Sequence, residues 1–172
     1  NSAAHNVILQ SGNQAVTVGV VTTPGSLVST GGSTFATTAG KNLTVGGNVN
    51  LTHGGTVTLN SDATVGANFI SGGVGGFTQS ASTLLDVTGN IDLSHNGAVS
   101  LAGQAQADIG FTSNGAGTFA IATGGSIEAG GGVNIYHAGA ITLADDIEGL
   151  FVTLKTDATT ATAINATAAA VV

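Results

Sequence analysis

The 172-residue sequence predicts an all-β fold: a right-handed parallel β-helix (β-solenoid) built from four repeats of about 42 residues, each winding two coils. Three observations predict it. Scarce residues recur at one interval: His53, His95 and His137 lie 42 apart, and so do Phe35, Phe77 and Phe119, with Phe69 and Phe111 repeating the step. Within each copy apolar residues alternate with polar ones, as in strands that bury one face. Composition favours strands and turns, with 28 glycines, abundant threonine and valine, and Pro24 as the only proline. A unit of this length buries its apolar face by stacking on its neighbours, not by folding alone.

The copies fall at approximately 1–42, 43–84, 85–126 and 127–168 of a single domain spanning 1–172. Residues 7 to 18 read as a diverged first copy, with Val7 and Leu9 in phase and one extra residue before Val16 and Val18. The run from Leu43 to Leu59 predicts two short strands. Val49 and Leu51 face inward, a His53-Gly-Gly corner follows, and Val57 and Leu59 face inward again, with Asn50, Thr52 and Thr58 outward. Leu85 to Leu101 and Ile127 to Leu143 repeat this without gaps. The segments 71–76 and 112–117 are turn-rich and predict a corner loop or bulge. The fourth copy fades, with Thr153 and Ala161 where phenylalanine is expected, and the tail 158–172 reads as a final coil, a capping strand or a pairing segment.

Two coils of about 21 residues per unit bring equivalent positions into ladders, with Phe35, Phe77 and Phe119 in one stack and Leu43, Leu85 and Ile127 in another. A transmembrane barrel needs aromatic girdles that one tyrosine and no tryptophan cannot supply. A propeller blade fits the repeat length, but a blade-closing aromatic motif is missing.

Charged residues are only 6% of the chain, with Lys41 and Lys155 against nine acidic residues and a net charge of −7. That balance excludes nucleic acid and anionic lipid surfaces as partners. Nothing predicts a membrane-spanning segment, and no cofactor is expected. The first residue is Asn1, with no charged leader before it; this fits an exported chain already processed, or a segment of a longer array.

The run GGNVNLTHGGTVTLNSDATV, echoed as TGNIDLSHNGAVSLAGQAQA, resembles the repeats of filamentous haemagglutinin-type bacterial adhesins over roughly residues 40 to 150. The resemblance rests on Gly-Asn-(Val/Ile)-(Asn/Asp)-Leu spacing. It implies export by two-partner secretion and a right-handed β-helical shaft. The family's N-terminal secretion domain and NPNL-type motif are not in this chain, so the resemblance implies shaft and not the secretion signal.

No catalytic residue is assigned. Two isolated lysines offer no basic cleft for a polysaccharide lyase, and no local motif marks the paired carboxylates of a glycoside hydrolase. Histidines two coils apart, nearly 10 Å by strand spacing, cannot share a metal ion. They read as hydrogen-bonding corner residues, and a surface row of them would make self-association pH-sensitive. No metal site is assigned; Asp145, Asp146 and Glu148 are weak calcium candidates, with a solvated loop as the plainer reading. Asp92 takes the place of Asn50 and Asn134, which predicts an outward hydrogen-bonding ladder. The Thr56-Val-Thr58 pair suggests an ice-binding row, but Ala98 and Ala140 break it. The expected role is non-catalytic: a secreted, cell-surface shaft segment of an adhesin, or the subunit of a fibre. Its expected partners are itself, end to end through exposed strand edges, neighbouring repeats of a longer chain, or surface glycans. A β-helical polysaccharide-degrading enzyme or an ice- or carbohydrate-binding solenoid is the alternative.

Overall fold

The computed structural model describes residues 5–159 and 163–166, and among them every element is a β-strand. Strands of two to six residues wind into a parallel β-solenoid of about eight coils with three faces. Sheet A has eight strands, from Val7–Gln10 to Phe151–Thr156. Sheet B also has eight, from Val16–Val18 to Ile164–Ala166, and sheet C has seven, from Val21–Thr23 to Ile147–Glu148. Every pairing is parallel and joins a strand to the equivalent strand one coil away. At about 4.8 Å per rung the eight rungs of sheet A span about 34 Å.

Successive coils are unequal. At the corner between sheets C and A, Asn48 and Asn68 are 20 residues apart, whereas Asn68 and Asn90 are 22 apart. One corner accounts for the difference. Between sheets B and C the chain takes eight steps from Phe35 to Leu43, Phe77 to Leu85 and Phe119 to Ile127, but six from Val57 to Ala63 and Val99 to Ala105. Each longer turn contains a left-handed residue, at Gly40 (φ 68°), Ser82 (φ 59°) and Gly124 (φ 85°), themselves 42 apart. Buried Gln79 braces one of these turns by donating to the carbonyls of Thr83 (3.2 Å) and Gln104 (2.8 Å). The turn-rich segments 71–76 and 112–117 instead lie in sheet A and its ordinary corner to sheet B, the same length as the corner after His53.

Inside, large and small residues alternate up several columns. Sheet B stacks Phe35, Val57, Phe77, Val99 and Phe119, and sheet C stacks Leu43, Ala63, Leu85, Ala105 and Ile127. Sheet A adds Leu51, Ser71, Leu93 and Ser113, and beside them His53, Gly73 and His95. In these columns a bulky position has a smaller one above and below it, so the core fills without overpacking. Phe69 meets Phe77 edge-on at 6.0 Å, and Phe111 meets Phe119 at 6.4 Å. The 42-residue period follows: one coil alone is not self-complementary, but a pair is.

One terminal feature departs from the sequence expectation. After Glu148 the corner is one residue short, so Val152 takes the rung beside Val133, and Thr153, at the expected phenylalanine position, faces outward. In the tail, Ile164–Ala166 pairs with Ile141–Leu143 as a further rung of sheet B, while Ala161 and much of 158–172 lie outside the described residues.

Candidate functional site

The most chemically distinctive cluster is a ladder of three serine–histidine pairs inside sheet A. His53, His95 and His137 close the strands Val49–His53, Asn90–His95 and Gly132–His137, and the period-2 alternation turns them inward after Val and Leu or Ile. Each is at most 1% exposed. Each Nε2 meets a buried serine hydroxyl of the preceding coil: Ser29 at 3.0 Å, Ser71 at 2.9 Å and Ser113 at 2.9 Å. Each Nδ1 faces a turn carbonyl, of Ser33 (3.3 Å), Gly75 (3.2 Å) and Gly117 (3.3 Å). A carbonyl can only accept, so Nδ1 carries the proton and Nε2 accepts from the serine. The rings pack on Phe35, Phe77 and Phe119 at 5.5, 5.8 and 5.5 Å between centroids.

Burial lowers the pKa of all three histidines below 6.5, opposed in part by the carbonyl each one faces. For His95 the neighbouring His137 lowers it further. The imidazoles are therefore neutral at pH 7. The ladder does form hydrogen-bonding corners, but it faces the core; the surface row considered from the sequence is corrected, because the strand alternation continues through the histidine itself.

A serine hydroxyl within 3 Å of a histidine that is held by a third group has the geometry of an activated nucleophile. Here Ser29, Ser71 and Ser113 are 0% exposed and their columns are closed above and below by Leu51, Leu93 and Ile135, so no substrate reaches the oxygen. What the arrangement does is tie three pairs of adjacent coils together from inside. The serines escape sequence reading because serine beside glycine looks like a turn. The available signal was the in-phase spacing of Ser29, Ser71 and Ser113 with the histidines.

The remaining candidates separate. Asp145 is a turn residue, accepting from Gly124 N (2.8 Å) and Asp146 N (3.0 Å). Glu148 stands apart on sheet C beside Glu128. Among the described residues no three His, Asp or Glu side chains gather as a metal-holding group. Asn50, Asp92 and Asn134 share an outward column but are separated by Ile70 and Thr112. The hydrogen-bonded ladder runs instead through the corner asparagines, where Asn48 Oδ1 accepts from Asn68 and Asn68 Oδ1 from Asn90. On sheet B the outward row of Thr58 and Thr78 is broken by Ala36 and Ala120. Tyr136 donates to Asp157 at 2.6 Å, which raises its phenol pKa, and Lys155 lies 4.6 Å over its ring.

No helix among the described residues is long and apolar enough to cross a membrane. No protein-family model, curated protein or solved structure matches this chain.

Proposed function

We propose that this chain is a non-catalytic structural element, a β-helical shaft segment of a secreted, cell-surface adhesin or the subunit of a self-assembling fibre. The observation that carries the reading is the destination of the reactive-looking side chains. The serine–histidine pairs are sealed in the core, where they join coils, and the repeat is spent on continuing the column. Kinship to filamentous haemagglutinin-type adhesins belongs to the same proposal, supported by the Gly-Asn spacing, whose Asn48 and Asn90 are joined at one corner through Asn68. Right-handed winding belongs to it too, as parallel crossovers are right-handed in about 98% of cases.

The partner in this reading is another column, of the same chain or of neighbouring repeats. Among the described residues, strands Val7–Gln10 and Phe151–Thr156 each pair on one side only, and unpaired edges template further pairing. Electron microscopy of purified material tests it: long fibres mark a self-assembling subunit, and short discrete rods a shaft segment. Globular particles would refute both. Incubation with a panel of polysaccharides addresses the enzymatic alternative, since release of reducing ends or unsaturated sugars would overturn a non-catalytic role.

A further inference from the structure

We propose that the corner between sheets C and A in the last four coils is a docking surface for a cationic peptide segment carrying apolar side chains. Three independent columns change character there. At the outermost corner position the chain is small in most coils: Gly25, Gly47, Ala67, Gly89 and Gly131. It is large only at Ile109 and Leu150, which lie one coil to either side of Gly131 and are 57% and 82% exposed. In the next column the asparagine ladder stops at Asn90, giving way to Gly110, Gly132 and Phe151. The Phe151 ring lies directly over Gly132, where any Cβ would collide with it, and remains 57% exposed.

The third change is in charge. The outward column of sheet C is Thr22, Thr44 and Thr64 in the early coils, and becomes Asp86, Gln106, Glu128 and Glu148 in the later ones. Glu128 and Glu148 are direct rung neighbours, a like-charge pairing that costs stability in a sheet. Gln106 Nε2 donates to Glu128 at 3.1 Å, but neither lysine shares this face: Lys41 precedes the strand Leu43–Val45 and Lys155 lies over Tyr136 on sheet A.

Gly130, Gly131 and Gly132 thus form a tightly packed corner step, closely approached by the preceding coil and by the Phe151 ring, with Ile109 exposed on one side of it and Leu150 and Phe151 on the other. Clefts of about 300 Å³ flank it, one lined by Asp86, Asp108 and Glu128, the other by Glu128, Glu148 and Leu150. Exposed apolar side chains rimmed by unpaired like charge suit a partner that brings both an apolar anchor and opposite charge. The coil architecture requires none of these residues, since the earlier coils are built without them. A further coil stacked on Phe151–Thr156 would cover part of Leu150 and Phe151, so this surface requires that edge to be free.

The test uses a fluorescently labelled synthetic peptide of alternating lysine and leucine, with a lysine–serine peptide as comparison, read by fluorescence anisotropy at physiological ionic strength. The wild-type chain is expected to bind the lysine–leucine peptide at least about tenfold more tightly than the lysine–serine peptide. Both E128Q/E148Q and I109S/L150S should weaken binding by about tenfold or more, whereas D62N/D92N, removing equal charge elsewhere, should stay within about twofold. Cooperative urea transitions with midpoints no lower than wild type would show that all three variants fold. Equal binding by all the proteins, an equal loss in D62N/D92N, or binding that persists in I109S/L150S would each overturn the proposal.

Discussion

Replacing Ser71 with alanine tests the inner ladder most sharply. The hydroxyl is fully buried and donates to His95 Nε2 at 2.9 Å. Alanine fits the site, so the change removes one hydrogen bond and strands a buried acceptor, at about 1–3 kcal/mol. Ser29→Ala and Ser113→Ala should each cost the same, because their pairs repeat the geometry at 3.0 and 2.9 Å. The sites lie two coils apart and share no partner, so the triple variant should lose about 3–9 kcal/mol, a large part of the roughly 5–15 kcal/mol typical of a folded domain. Urea denaturation followed by far-ultraviolet circular dichroism is the assay, since the chain lacks tryptophan. With a slope of about 2 kcal/mol per molar urea, Ser71→Ala should lower the midpoint by about 1 M. Ser100→Ala is the control, on the outer face of sheet B, and should stay within about 0.5 kcal/mol of wild type. A double-mutant cycle with His95→Leu should give a coupling of at least about 0.5 kcal/mol. Midpoints of Ser71→Ala and Ser100→Ala that coincide, or zero coupling, would refute the ladder as a stabilising device.

Three further outcomes follow from the same geometry. The folded-state pKa of each buried histidine lies below its unfolded value of 6.5, so the unfolded chain binds more protons between those limits. Stability should be level above about pH 6.5 and fall as pH drops below it; urea midpoints that did not decline between pH 7.5 and pH 5 would contradict neutral, buried imidazoles. Gly73→Ala drives a Cβ into the His53 carbonyl oxygen at φ 150°, and should cost at least about 3 kcal/mol, whereas Gly19→Ala, with open space around it, should be close to neutral by thermal denaturation. Phe77→Ala empties a site flanked by Val57 and Val99, neither long enough to refill it, and should cost about 3–5 kcal/mol in the same measurement.

How much of this was legible beforehand depends on what a residue's type reveals. The phenylalanines and histidines are scarce, so their spacing exposed the repeat, and the period-2 pattern of Val49, Leu51, Val57 and Leu59 gave the inward face. The stacks Phe35/Phe77/Phe119 and Leu43/Leu85/Ile127 are present, each interleaved with a smaller residue of the other coil. Burial of Ser71 was not legible, because its hydroxyl is satisfied by a residue 24 positions away and its strand ends in glycines that mimic a turn. The unequal coils were hidden for a similar reason. A left-handed residue marks each long turn, but it is Gly40 and Gly124 in two copies and Ser82 in the third. The docking corner was invisible in the sequence because Ile109, Gly131 and Leu150 meet only once the coil length is known.

The central claim is a column in which residues 58, 78, 100, 120 and 142 occupy successive rungs of one sheet. The chain has no cysteine, so nitroxide labels can be placed at Thr58→Cys and Thr142→Cys and their separation measured by pulsed electron–electron resonance. Four rungs predict a distance centred near about 19 Å, allowing for label length. A distribution centred beyond about 30 Å, or one as broad as that of an unfolded chain, would contradict the parallel stacking on which the rest depends.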